Sequence, residues 1–301
     1  MNPRINTIHQ LVSAYEMTFE NGAAKGKSVV LVHNHGLEVM FSKTNALDIE
    51  YVKFNGKNIS FLSKNGINEK KVGAFVNKFE GGFLYTCGLE TIGLRHPELP
   101  QHGSLHNIAV EDLVIEYDEE KVVLTGVCKD SALFGQNLWL RRRFEVYKDK
   151  ILVNDTVENH AYVDGGYVLL YHTNFGYPFL NEDLEVKMDL DNTEAIGDYA
   201  LQGLNDCFKM SAPIDGGDEQ CYYHNLKSGK VELTNKPLGI KVGMAYDTKA
   251  LPITVEWKSM VSGDYALGIE PVTARFDDMD LRPIKKGDKH EIKIAISFEE
   301  V

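Results

Sequence analysis

Close cysteine pairs, long apolar runs and an excess of basic charge are all missing from this chain of 301 residues. Its four cysteines, Cys87, Cys128, Cys207 and Cys221, stand far apart. That spacing excludes a CxxC redox motif and a zinc knuckle, and reduced thiols in a cytoplasmic protein are the simplest account. No apolar stretch is long enough to cross a bilayer, and the opening MNPRINTIHQ lacks the apolar core of a signal peptide. The 32 Lys and Arg against 44 Asp and Glu give a net charge of -12, which leaves no electrostatic footprint for nucleic acid or an anionic membrane. The one basic cluster, Arg141 to Arg143, lies inside the alternating run LWLRRRFEVY and is expected to form the polar face of a strand.

Amphipathic helical periodicity is scarce as well. From Ser28 onward the pattern has period two, in short runs rich in β-branched and aromatic residues such as VVLVHNH, LEVMF, LDIEYVKF and NISFLS. A meander follows, LVIEYDEEKVVLTGVC and then LWLRRRFEVYKDKILVNDTVENH, with charged turns at residues 118–120 and 148–150. Strands without alternating helices argue against a parallel α/β fold and for two large antiparallel sheets packed face to face. Residues 5–19 are compatible with a short helix or an edge strand, residues 194–217 are the least regular, and NDCFKMSAPIDGGDE, residues 205–219, reads as a long loop. Neither a repeat nor a linker composition appears, so the expectation is one all-β domain over residues 1–301, with 1–27 an appendage packed on it.

Several stretches hold candidate chemistry. YHTNFGYPFL, Tyr171 to Leu180, puts His172 just past an apolar strand and before a turn made of Asn174, Gly176 and Pro178. A histidine there is held by a rigid element yet faces a cleft, which suits a proton donor. The aromatics Tyr171, Phe175, Tyr177 and Phe179 crowd the same place and are expected to wall a sugar site. In GIEPVT, Glu270 is expected at a strand end, with Pro271 stopping the ladder. A partly buried carboxylate at such a place serves as a general base. QHGSLHN holds His102 beside a glycine that lets backbone approach a ligand, with His106 four residues on. VHNHGLE places His33 and His35 as alternate strand residues, but Glu38 comes one residue too soon to complete the metal-binding pattern of cupins, so no metal is expected.

The order of these features resembles the galactose mutarotase superfamily, and within it the aldose-1-epimerase-like branch. The matching segments are TCGLETIG at Thr86 to Gly93, His102-Gly103, YHTNFGYPFL, EQCYYH at Glu219 to His224, and WK followed by YALGIEPVT. The resemblance implies a β-supersandwich and interconversion of the anomers of an aldose or sugar derivative. It implies His172 as general acid, Glu270 as general base and His102 as a sugar contact. Asn174, His224 and Lys258 join as substrate-binding candidates. Where this branch carries arginines, Asn45 and Ser104 stand here, and Arg95 and Arg275 are the guanidinium groups available to compensate. The chemistry needs no cofactor or metal. The expected partner is a small-molecule sugar, and the oligomeric state is open, with a homodimer among the options.

Two rival readings accompany this one. A carbohydrate-binding protein that has lost catalysis on the same fold is favoured by the two absent arginines, because fold does not fix function. A metal-dependent sugar isomerase of cupin type would need His33 and His35 to hold a metal.

Overall fold

The computed structural model describes residues 3–70, 72–93, 99–276 and 280–301. Its strands begin with β1 (Val12–Thr18), β2 (Ser28–Asn34), β3 (Leu37–Ser42), β4 (Ile49–Phe54), β5 (Lys57–Asn58) and β6 (Leu84–Leu89). The expected meander supplies β7 (Glu111–Tyr117), β8 (Lys121–Ser131), β9 (Asn137–Tyr147) and β10 (Lys150–Asn159). After β11 (Gly165–Phe175) and β12 (Leu184–Ile196) comes one short helix, α1 (Asp198–Gln202). The chain closes with β13 (Gln220–Asn235), β14 (Ile240–Tyr246), β15 (Ile253–Val261), β16 (Asp264–Val272), β17 (Arg282–Ile284) and β18 (Lys289–Glu300).

Every named strand pairing is antiparallel. One sheet runs β1–β2–β3–β4–β6–β11–β16–β15–β13. The other runs β7–β8–β9–β10–β18–β14–β13. The long strand β13 belongs to both, pairing with β15 through its first residues and with β14 through its last. Alternation along each strand turns one side inward, and the two inner faces meet in a shared apolar core. Phe41 of β3 packs on Phe144 of β9 with ring centroids 5.0 Å apart, and Phe54 of β4 meets Phe298 of β18 at 5.8 Å.

Three local expectations are refined. The opening segment is a single 3-10 turn, Ile8–Gln10, followed by β1, which pairs along β2. The irregular region 194–217 opens with the end of β12 at Ile196 and with α1, and after a 3-10 turn at Leu204–Asp206 the rest of the expected loop, residues 207–219, holds no named strand or helix. The basic cluster is divided by the pleat. Arg141 and Arg143 face outward, whereas Arg142 points into the core and is fully buried. Its guanidinium donates to both carboxylate oxygens of Asp155, at 3.2 and 3.0 Å, and to Asp48 and the Ala46 carbonyl, each at 2.7 Å. A planar five-donor group can satisfy that many acceptors at once, which is why an arginine is tolerated at an apolar position. Among the described residues no helix is long and apolar enough to cross a membrane.

Candidate active site

Strand β11 is buried along nearly its whole length because β6 and β16 flank it. The register pairs His172 with Tyr85 of β6. On the other side it pairs Leu170 with Val272 and Thr173 with Ile269, which sets His172 beside Glu270. Both residues lie within strands rather than at strand ends, and β16 continues through Pro271 to Val272. That corrects the expectation that Pro271 stops the ladder. What presents both side chains is the pleat, which turns His172 and Glu270 to the face carrying Tyr85, Cys87, Leu170, Val255 and Val272.

His172 Nε2 and Glu270 Oε1 are 3.2 Å apart, and both side chains are almost fully buried. Burial, reinforced by the His102 charge, pushes the His172 imidazole down to about 3, while the Asn174 amide acts the other way. Burial, and then the Glu219 charge, pushes the Glu270 carboxyl well above the usual carboxylate range. Opposite shifts on touching groups leave one proton for the pair near neutral pH, and the dry surroundings favour placing it on Glu270. Glu270 Oε1 and His172 Nδ1 are buried without a hydrogen-bond partner, as is Asn174 Oδ1. Asn174 Oδ1 and His172 Nδ1 adjoin and suit each other, which leaves the Glu270 oxygen, costly in an idle core, as the atom a polar substrate would satisfy. Gly268 makes the close approach possible, because a Cβ there would stand 2.5 Å from Glu270 Oε1 and 3.2 Å from His172 Cε1.

His102 reaches the same place from the loop after β6. It adopts a left-handed backbone with φ of 65°, and Gly103 follows at φ of 78° where a Cβ would collide with the Gly88 carbonyl at 2.2 Å. The His102 ring packs 4.4 Å from Phe75 and 6.0 Å from His172. Its Nδ1 accepts from the Gly93 N–H at 3.3 Å, so the neutral ring carries its proton on Nε2. Burial lowers its basicity to about 4.

The remaining candidates divide. Asn174 lies on the His172 face, its amide donating to the carbonyls of Gly82 and His172 at 3.1 Å each. Arg275 pairs with Glu194 at 2.9 Å and lies over the Tyr223 ring at 4.1 Å, two strands across from Glu270. Arg95 lies outside the described residues. His224 and Lys258 point to the opposite face of the sheet and do not join the site. His224 is fully buried between Thr193 and Glu256, each at 2.9 Å, and the Lys258 ammonium is held by the carbonyls of Asp206 and Cys207. His33 faces Glu38 across the β2–β3 hairpin at 3.4 Å, while His35 sits in the turn and bonds Asn34. Among the described residues no group of three or more His, Cys, Asp or Glu is placed to hold a metal ion.

The aromatic wall is not the expected one. Tyr171 points to the other face and donates to Asp155, Phe175 and Phe179 lie in the core, and Tyr177 is largely exposed. The rings around His172 come from distant segments: Phe79 at 5.9 Å, Trp257 at 5.4 Å, and Tyr85 from the neighbouring strand. Trp257 had a signal in the sequence, since ITVEWKSM alternates and puts Trp257 on the same face as Val255. Phe75 and Phe79 had none, because they sit in an aperiodic loop.

That loop is pinned by a buried charge cluster. The Lys27 ammonium meets Glu50 at 2.6 Å, Glu80 at 2.8 Å and the Asn45 side-chain Oδ1 at 3.2 Å. Burial, then the neighbouring Glu50 charge, raises the Glu80 carboxyl to about 8, against the pull of Lys27. His106 and Asp48 adjoin through Asn45. A carboxyl raised on folding contributes stability that is full at low pH and lost as pH rises through its folded value. Residues 63–70 and 72–80 should therefore hold most firmly at acid pH, loosen as pH rises toward 8 and change little above it. Hydrogen exchange of this segment across pH 5–10, corrected for the intrinsic rate, should show protection falling as pH rises to about 8 and level beyond it, and flat protection throughout would contradict a raised Glu80.

The sequence model of a family described as a domain of unknown function, DUF4432, matches residues 24–289. No curated protein matches the chain. Among solved structures, a proposed aldose 1-epimerase of Klebsiella pneumoniae superposes with a TM-score of 0.86 at 18% identity, covering 96% of this chain and 88% of that one. A galactose mutarotase-like protein of Clostridium acetobutylicum gives 0.71 at 14% identity over 97% and 100% of the two chains. A galactose 1-epimerase of Lactobacillus acidophilus gives 0.69 at 15% identity over 96% and 99%. At such identities the likeness is one of fold, and the fold is that of the galactose mutarotase-like proteins.

Proposed function

This chain belongs to the DUF4432 family, and from that premise we propose that it interconverts the α and β anomers of an aldose by acid–base ring opening. The observation that carries this reading is the His172–Glu270 contact at 3.2 Å on a buried face with shifts of opposite sign. The fold shared with an enzyme named galactose 1-epimerase supports it.

Ring opening of a cyclic hemiacetal moves one proton off the anomeric hydroxyl and one onto the ring oxygen. Both oxygens are bonded to the same carbon, so an acid and a base standing side by side suit them, rather than groups on opposite sides of the ring. Bound sugar would donate from its anomeric hydroxyl to Glu270 and accept at its ring oxygen from His172, stabilising a carboxylate–imidazolium pair. Glu270 then takes the hydroxyl proton as His172 delivers its own, and the C1–ring-oxygen bond breaks with its electron pair going to the ring oxygen. The products are the open aldehyde, a neutral carboxylic acid and a neutral imidazole. That neutral pair is the state the dry cleft favours, so the environment stabilises the open-chain intermediate. Rotation about the bond between C1 and C2 exposes the other carbonyl face, and the same two transfers in reverse close the ring. His102, with its Nε2 proton free, suits a hydroxyl acceptor on the sugar, and Asn174 Oδ1 suits the Nδ1 proton of His172. Because the pair is nearly buried, sugar entry moves the Phe75–Phe79 segment. All four cysteines are unpaired, which agrees with a cytoplasmic setting.

Anomer exchange measured by NMR magnetisation transfer across neutral aldoses tests the reading directly. Exchange above the buffer rate for at least one aldose is expected. A sugar that binds without faster exchange would favour the non-catalytic carbohydrate-binding protein, for which Asn45 and Ser104 in place of arginines speak.

A further inference from the structure

Trp257 occupies the site without any role in the proton transfers. It lies on β15 opposite Gly268 of β16 and Cys221 of β13. Its ring stands 5.4 Å from that of His172 and nearly perpendicular to it, at 71°. Phe79 and Phe61 pack edge-on against it, at 6.4 and 5.8 Å. The indole N–H is fixed by Glu219 Oε2 at 2.6 Å. Since Gly268 has no side chain, nothing from β16 rises between the indole and the His172–Glu270 pair, and Trp257 is half-buried there, as are Phe79 and His102.

We propose that Trp257 is the specificity-determining surface of this site, packing against the C–H face of an uncharged pyranose and setting its anomeric carbon before His172 and Glu270. The claim rests on the anomer-exchange reading and adds the substrate class. A rigid aromatic ring with its polar tip already satisfied offers an apolar face at little entropic cost, and a sugar's C–H face is its complement. Phe61 and the Glu219 hydrogen bond hold the indole independently of the Phe75–Phe79 segment, so it is a preformed surface and not a loose cap. The uncharged character follows from Glu219, whose carboxylate is tied to the indole edge and would repel a carboxylate or phosphate on a sugar lying against that ring.

The protein has two tryptophans, and the other, Trp139, stacks on His160 at 4.0 Å in the second sheet. Trp139→Phe therefore leaves Trp257 as the single indole reporter. In that variant D-glucose or D-galactose should shift the emission saturably, while D-glucuronate and D-galacturonate should do so at least tenfold more weakly. Trp257→Ala should raise KM for exchange roughly tenfold, with kcat moved much less, and Trp257→Phe should restore most of the affinity. Emission indifferent to a sugar that the enzyme turns over, a KM within twofold in Trp257→Ala, or a preference for the uronates would each overturn the proposal. A saturable emission change with no accelerated exchange would instead overturn the catalytic reading and leave Trp257 as a sugar-binding surface.

Discussion

Glu270→Gln and His172→Asn should each slow anomer exchange by about 10²–10⁴-fold, the usual contribution of a positioned acid or base. Both replacements keep the shape of the buried side chain, so thermal unfolding should move far less than the rate. Sugar affinity should persist, because the lost groups act mainly as the proton moves. The pH profile carries the stronger test. The working pair holds one proton between two groups. Below the His172 value, lowered to about 3 by burial, a second proton is added and activity falls. Above the raised Glu270 value the single proton is lost and activity falls again. The profile should therefore be bell-shaped and broad, with its alkaline limb above the ordinary carboxylate range. In Glu270→Gln the residual activity should need His172 protonated and so only fall as pH rises, and in His172→Asn it should need Glu270 ionised and so only rise with pH. A wild-type profile falling near pH 6.5, where free histidine titrates, would show that the imidazole is not held neutral by burial. Near-normal exchange in both variants would move the chemistry to other residues.

Much of the fold was legible because its signals are local. Period-two runs and charged turns placed β2–β4 and the β7–β10 meander, and the scarcity of helical periodicity excluded a parallel sheet. The pair His172 and Glu270 was legible only through the order of motifs along the chain. The sequence offered strand ends as their setting, whereas the register of β6, β11 and β16 puts them inside strands. Proline misled there: it lacks a donor, yet Pro271 still occupies a ladder position opposite Thr254. Side-chain direction explains the other misreadings. Tyr171 and His224 adjoin residues of the site face in sequence, and the pleat sends them to the opposite face. The aromatic wall was hidden because Phe75, Phe79 and Trp257 converge from segments about 180 residues apart, a distance no local pattern encodes. Arg142 was hidden by its own neighbours, since two flanking arginines that do face solvent made the middle one read as a third.

Arg142→Met should destabilise the fold by about 3–5 kcal/mol, because it leaves Asp48 and Asp155 buried without their cation. The site depends on this cluster from behind. Thr86 of β6 donates its backbone N–H and hydroxyl to Asp48 at 2.8 and 2.6 Å, and Tyr171 of β11 donates to Asp155 at 2.9 Å. These are the strands that carry Tyr85 and His172. In the wild type burial pushes Asp48 up, but the His106 hydrogen bond and the Arg142 charge outweigh it and hold the carboxyl below its usual range. A carboxyl lowered on folding contributes stability that is present above its unfolded value and lost as pH falls. Removing the guanidinium reverses the sign. Burial then dominates, the folded value rises, and stability is full at low pH and lost as pH rises through that value. Urea unfolding at several pH values should thus show Arg142→Met losing least at pH 4–5 and most at pH 7–8. Adding Asp48→Asn and Asp155→Asn should recover a large part of the loss, since no charge then remains uncompensated, and the pH dependence should flatten. Arg142→Lys should recover only part of it, because an ammonium cannot bridge two carboxylates and a carbonyl as a planar fork does. A loss below 1 kcal/mol with an unchanged pH slope would mean that Asp48 and Asp155 are stabilised without Arg142, and that the cluster does not brace β6 and β11.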